Sequence, residues 1–315
     1  MPTGLIHSPA SLLHDTGPGH PERPTRITAV LDRLRADGLL GRCTAIEPRA
    51  ATEDELLRVH TPAYLGIVRR DIADGLAVLS TGDTAIGGPP SLAAALEAAG
   101  GVLAAVDAVL GGRVANAFAL VRPPGHHATP RKGMGFCLFN TVALAARHAQ
   151  AAHGVERVLI VDWDVHHGNG TQDTFYDDPT VLFFDTHQSP LYPGTGAADE
   201  TGTGAGTGFT INCPFAAGAG RREILGAYAE RLLPAADAFR PHLVLVSAGF
   251  DSRESDPLGR FTLRDADFAE MTHVVRGIAD RHAGGRLVST LEGGYGLEGL
   301  AAAAAAHVGA LLDPA

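Results

Sequence analysis

Apolar residues along this chain fall into two alternating patterns. Short, nearly continuous runs at Asn116–Val121, Arg157–Val161, Thr180–Asp185, Phe209–Asn212, His242–Ser247 and Arg286–Leu291 read as strands buried on both faces. Helices are predicted at Pro24–Asp37, Thr52–His60, Ser91–Leu110, Asn140–His153, Arg221–Phe239, Arg264–Arg281 and Leu297–Leu312. This alternation predicts an α/β fold with a central, mostly parallel sheet and helices on both faces. No solenoid-length repeat and no Pro-, Ser- or charge-rich linker divides the sequence, so a single domain over residues 1–315 is expected.

In open sheets of this kind, reactive residues gather beyond the carboxyl ends of the strands. Arg122-Pro123-Pro124-Gly125-His126-His127 follows one strand, and Asp162-Trp163-Asp164-Val165-His166-His167 follows another. Ala248-Gly249-Phe250-Asp251 follows a third, and Glu292-Gly293-Gly294-Tyr295-Gly296 a fourth. Four runs thus deliver polar groups to one edge, with glycines that let backbones approach closely. They predict one site.

Side chains alternate along an extended chain, so Asp162, Asp164 and His166 share one side while Trp163 and Val165 take the other. A strand end with solvated acids explains one aspartate but not the whole D-x-D-x-H-H run. Asp164, His166 and Asp251 are the expected metal ligands; two carboxylates and an imidazole leave a position for water or substrate. Asp251 alone would read as a helix N-cap. Zinc is the default, and Fe(II) or another divalent ion also suits the oxygen-rich set. His126 and His127, after a rigid Pro-Pro-Gly turn, read as a positioned acid/base pair. Asp162 is expected to accept a hydrogen bond from one of those rings, and Tyr295 to donate its hydroxyl to a developing oxyanion.

Composition narrows the classes. A formal charge of −10 argues against a nucleic-acid binder but allows steering of a basic substrate. Cys43, Cys137 and Cys213 are widely separated, which argues against a disulfide framework or a cysteine-based zinc site and fits a reducing compartment. Residues 1–20 lack a basic start followed by a long apolar run, and Ser91–Leu110 reads as too weakly apolar to span a bilayer. A cytoplasmic protein with no membrane or nucleic-acid partner is the expectation. The glycine-rich stretches Gly194–Gly196 and Gly202–Gly208 are not followed by Gly-Lys-Ser/Thr, and no Gly-x-Ser-x-Gly elbow occurs.

From His20-Pro21-Glu22-Arg23-Pro24 to Leu291-Glu292-Gly293-Gly294-Tyr295, the chain resembles the histone deacetylase superfamily, with acetylpolyamine amidohydrolases and acetoin-utilization proteins. The resemblance is carried by Arg122–Ala128, Gly135-Phe136-Cys137, Asp162–Gln172, Tyr192-Pro193-Gly194-Thr195-Gly196 and Ser247–Asp251. The Trp163–Gln172 wording is similar to class II members.

The resemblance implies an arginase/deacetylase-like fold and a zinc-dependent amidohydrolase acting on acyl-lysine in proteins or peptides, with small acylated amines such as acetylpolyamines as the alternative. It implies zinc at Asp164, His166 and Asp251, catalysis by His126, His127, Asp162 and Tyr295, and a structural potassium (K+) site around Asp162, Asp164 and His166. It further implies a substrate tunnel at Gly135, Phe136, Tyr192, Leu258 and Gly293, and places Arg26 near an internal channel. Asp185 and Tyr192 depart from many relatives, at the cation site and on one tunnel wall. Asn169 is neutral, so His127 is expected to lack a carboxylate partner. Leu258, within Asp256-Pro257-Leu258-Gly259, stands where a polyamine deacetylase has a glutamate, which tilts the expectation to acyl-lysine; Asp83 or Glu254 are other rim acids. A ureohydrolase would need a second Asp-x-Asp pair, whereas Ser252 and Arg253 follow Asp251. A non-catalytic binder is the third reading, and the full set of presumed catalytic residues speaks against it.

Overall fold

The strands form in the order β1 (Thr3–His7), β2 (Thr44–Ala45), β3 (Asn116–Leu120), β4 (Val158–Asp162), β5 (Val181–Gln188), β6 (Thr210–Phe215), β7 (Leu243–Ala248) and β8 (Leu287–Leu291). In this computed structural model, which describes residues 1–313, they make one sheet in the order β2-β1-β3-β8-β7-β4-β5-β6. Every neighbouring pair is parallel. The six expected strands are present to within three residues at each end, and the sheet is fully rather than mostly parallel. β1 and β2 were not expected. β1 is only five residues long and β2 only two, too short for their apolar content to mark them.

The helices are α1 (Thr25–Ala36), α2 (Glu53–Leu56), α3 (Pro62–Ala73), α4 (Pro89–Leu110), α5 (Thr141–His153), α6 (Asn169–Phe175), α7 (Arg221–Ala227), α8 (Leu233–Phe239), α9 (Asp265–His282) and α10 (Leu297–Leu312). Residues of α2 to α6 join the core on one face of the sheet, and those of α1 and α7 to α10 on the other. β7 displays the reason for its unbroken apolar run: Leu243 and Leu245 enter the first core, Val244 and Val246 the second.

Three helical expectations change in detail. The helix predicted for Thr52–His60 is only the single turn α2, held by a Thr52–Glu55 capping box. A residue before proline disfavours the helical region, so the chain breaks at Thr61, whose side chain then caps α3. The predicted Arg221–Phe239 helix carries a π turn at Tyr228–Leu232 between α7 and α8, next to Pro234, which cannot donate an i→i−4 bond. α4, whose 18-residue window has a mean hydropathy of 1.7, is long and apolar enough by composition to cross a membrane, contrary to expectation. Yet 72% of that window is buried inside the fold, as a core helix requires.

Strand order positions the site. β3, β8, β7 and β4 are consecutive neighbours, so the four polar strand ends lie side by side over the middle of the sheet.

Candidate active site

Asp164 and His166, just past β4, meet Asp251, just past β7, with one ligating atom of each within 4.8 Å of the others. His166 Nδ1 lies 3.0 Å from Asp164 Oδ1 and 3.2 Å from Asp251 Oδ2. Trp163 and Val165 enter the opposite core, as alternation predicts. Backbone amides orient the carboxylates: Val165 N donates to Asp251 Oδ1 at 2.9 Å, and Gly293 N to Asp164 Oδ2 at 2.8 Å. A Cβ on Gly293 would sit 2.5 Å from Asp164 Oδ2 and collide with Asp251 Oδ2, so only glycine fits there.

All three side chains are buried, and Asp251 Oδ2 accepts no well-directed hydrogen bond. Burial and the Asp164 charge push Asp251 up to about 7. Burial opposes the charged form of His166, but Asp164 and Asp251 push it up to about 10. A buried centre that draws protons this strongly, with an orphaned carboxylate oxygen, fits a divalent cation. Its two oxygens and one nitrogen are a donor set for zinc or Fe(II). A second group, Asp107, His148 and His153, has equally close donors. There Arg58 Nη1 lies 2.8 Å from His148 Nδ1, so that Nδ1 accepts and Nε2–H points at Asp107. That group is a hydrogen-bonded cluster around Asp107.

The two rings after β3 lie with their centres 4.0 Å apart, tilted by 41°. His126 Nδ1 is 3.0 Å from Asp162 Oδ2, and its Nε2 is 3.8 Å from Asp164 Oδ2. Burial disfavours its charge, yet these carboxylates raise its pKa well above the ordinary value. His127 Nδ1 pairs instead with Asn169 Oδ1 at 2.8 Å. Burial, then the neighbouring His126 and His166, hold His127 well below the ordinary range. An amide oxygen only accepts, so Nδ1 of His127 carries its proton and Nε2 its lone pair. One ring favours its charged form and the other its neutral form.

A cavity of about 320 Å³ leads to these groups. Buried His127, His166 and Tyr295 line its inner part, with Gly135, Phe136, Leu191, Tyr192 and Leu258 as walls and exposed Asp83 at the mouth. Phe136 adopts a φ of 67°, a strained conformation for a bulky residue, and packs edge-on against Tyr295 at 5.9 Å. Gly135 has no room for a side chain, because a Cβ would enter the His127 ring. The Tyr192 hydroxyl donates to Asp83 at 3.0 Å. Two expected neighbours lie elsewhere. Gly293 sits beneath the ligands rather than on a wall, and Glu254 lines a separate cavity and pairs with Arg264 at 3.5 Å.

The histone deacetylase domain family matches residues 20–311. The chain belongs to the histone deacetylase family. A probable deacetylase of Archaeoglobus fulgidus is 40% identical, over 95% of this chain and 83% of that protein. The histone deacetylase-like amidohydrolase of Pseudomonas aeruginosa is 42% identical, over 93% of this chain and 75% of its own. Human polyamine deacetylase HDAC10 is 46% identical, and this chain spans about half of it (49%). The crystal structure of the HDA15 HD domain superposes with a TM-score of 0.94 at 41% identity, over 99% of this chain and 89% of that one. The arginase/deacetylase-like α/β fold follows, and this histone deacetylase family member is a deacetylase enzyme.

Two acids that brace this deacetylase site, Glu292 and Glu22, had no assigned role in the sequence. Glu292 accepts from the amides of Gly125 (2.6 Å) and His126 (3.1 Å), fixing the histidine turn. Glu22 is buried between Arg122 and Arg26. Arg26, expected near an internal channel, donates to Gly294 O at 2.6 Å and Glu292 O at 2.5 Å, with its guanidinium 5.0 Å from the Tyr295 ring centre. An isolated acid or arginine carries no local pattern, and only the tertiary fold reveals its partner. Asp185 stands beside Asp162 in register. Its Oδ2 accepts from Gly168 N at 2.8 Å, and its Oδ1 pairs with His187 Nδ1 at 2.7 Å. Both oxygens of this extra acid are engaged with protein.

Proposed function

We propose that this deacetylase removes acetyl or related acyl groups from the ε-amine of acyl-lysine in proteins or peptides, with zinc as the resident metal. The observation that carries the reading is the tunnel. Phe136, Leu191, Tyr192 and Leu258 offer a largely apolar sleeve for a linear alkyl chain, ending at His127, His166 and Tyr295.

Asp164, His166 and Asp251 would hold the divalent ion, which when bound supplies a Lewis acid towards the acyl carbonyl and the attacking water. His127, neutral with its lone pair on Nε2, takes a proton from that water as it adds to the carbonyl carbon. The Tyr295 hydroxyl donates to the oxyanion so formed; burial and the nearby Asp251 charge hold its pKa well above the ordinary value, so it stays protonated. As the C–N bond breaks, His126, charged beside Asp162, gives its proton to the leaving amine. The new acid gives up its remaining proton, so the products are a carboxylate and an ammonium, and the proton taken up by His127 restores the charge of His126 by way of solvent. The walls limit access of bulk water to the reacting carbon.

Asp83 at the mouth favours a second reading, a small acylated polyamine whose distal ammonium would face that carboxylate. The likeness to human polyamine deacetylase HDAC10 favours it too. Leu258 in the wall and the hydrogen bonds from Tyr192 and Gly135 that already engage Asp83 weigh for acyl-lysine. Turnover of an acetyl-lysine peptide and of acetylspermidine by the same preparation separates the two. The expected result is the larger kcat/KM on the peptide; a preference for acetylspermidine overturns the assignment.

A further inference from the structure

Tyr295 sits on a turn with little regular structure of its own, between the end of β8 and the start of α10. Its carbonyl side is held by Arg26, at Gly294 O. Its amide side is held by a different residue. Asp256 Oδ2 accepts from Tyr295 N at 2.7 Å and from Gly296 N at 3.1 Å, while Asp256 Oδ1 accepts from Leu258 N at 2.9 Å. One carboxylate therefore ties the tyrosine turn to the loop that supplies a tunnel wall. Asp256 itself does not line the tunnel. It borders a separate cavity of about 360 Å³ behind the turn, shared with Arg253, Gly296 and Glu298. The loop is built to present it: Ser255 has a φ of 69°, a conformation rare outside glycine, and Pro257 fixes the backbone on the other side.

We propose that Asp256 is a positioning residue, which holds the Tyr295 hydroxyl in register with the reacting carbonyl by gripping the backbone amides of its turn. The inference rests on the role given to Tyr295 above. A carboxylate bridging two amides of one turn fixes both its height and its tilt, and charge-assisted bonds of this kind are the stronger class. The hydroxyl lies at the far end of the side chain, so a small rotation of the turn moves it by more than the backbone. Displacements of about 1 Å lower turnover by up to about 10²-fold.

The test is a double-mutant cycle with Tyr295→Phe, following kcat, KM and bound metal. Tyr295→Phe alone should lower kcat by about 10²–10³-fold. Asp256→Ala should lower kcat by about 10- to 100-fold, with KM and metal content nearly unchanged. Asp256→Asn should recover part of that loss, because its amide oxygen still accepts from the Tyr295 and Gly296 N–H groups while the Leu258 N–H loses its acceptor. In the Tyr295→Phe background, Asp256→Ala should cost nothing further, since the hydroxyl it positions is gone. If Asp256→Ala does not fold, Gly296→Pro removes one of the two donors at a φ of −77°, which proline adopts. Its smaller loss of kcat should likewise vanish beside Tyr295→Phe. An equal fall in both backgrounds would overturn the proposal, as would an Asn variant as poor as the Ala variant, because the carboxylate would then act by charge on Asp251. A fully active Tyr295→Phe enzyme would remove the role of Tyr295, and this proposal with it.

Discussion

Two adjacent histidines are given opposite tasks by one atom each. Asp162 faces His126 and favours its charged form, whereas the amide of Asn169 faces His127 and leaves it neutral. The neutrality of Asn169 was legible in the sequence. That its oxygen would meet His127 Nδ1 was not, because the contact joins a turn after β3 to the start of α6. Replacing Asn169 with Asp tests the division. A carboxylate raises the pKa of His127, so the base form is lost at a higher pH as the solution is acidified. The acid limb of the kcat/KM profile should therefore move to higher pH in Asn169→Asp, and a limb at the wild-type position would contradict the assignment of His127 as base.

At the scale of elements, the site is a set of strand-to-loop exits whose glycines set how close the loops come. Gly293, at the exit of β8, is the tightest of them, between Asp164 and Asp251. Gly293→Ala should drive the two carboxylates apart and lower metal binding and turnover together. Metal analysis beside circular dichroism checks this; an alanine variant that retains one equivalent of metal would refute the cradle. These exits were readable because buried parallel strands are long apolar runs, and a polar cluster after such a run stands out. Elements without that contrast were missed. β1 and β2 are brief, and α3 announces itself only by Thr61-Pro62, a cap signal that the apolar pattern around it obscures. That Asp164, His166 and Asp251 come together was legible from their places at strand ends; the contacts of Glu22 and Glu292 with partners 100 or more residues away were not.

For the whole molecule, burial of neutral histidines sets an acid limit. His60 accepts from Asn140 N at 3.0 Å, and burial lowers its pKa to about 4. His307 lies between Thr272 and Ser289, and burial lowers its pKa to about 3. A histidine whose folded pKa lies below its unfolded value of about 6.5 supports folding above that pH. The unfolded chain takes up the proton first, so this support drains away as the pH falls from 6.5 towards 4 and 3. At pH 5 each ring should cost ~2 kcal/mol of stability relative to pH 7. Thermal melts of the wild type and of His307→Gln at the two pH values isolate one ring: the loss of melting temperature on acidification should shrink in the variant, and an unchanged loss would contradict it.

The central claim, that Asp164, His166 and Asp251 together hold one catalytic divalent ion, is tested most directly by restoring metal to chelator-stripped protein while following hydrolysis of an acetyl-lysine peptide. Turnover should be absent without metal, rise with added zinc or Fe(II), and level off at one equivalent per chain; Asp251→Asn should abolish this response. Full hydrolysis by the stripped protein, or saturation at the wild-type stoichiometry in Asp251→Asn, would contradict the account.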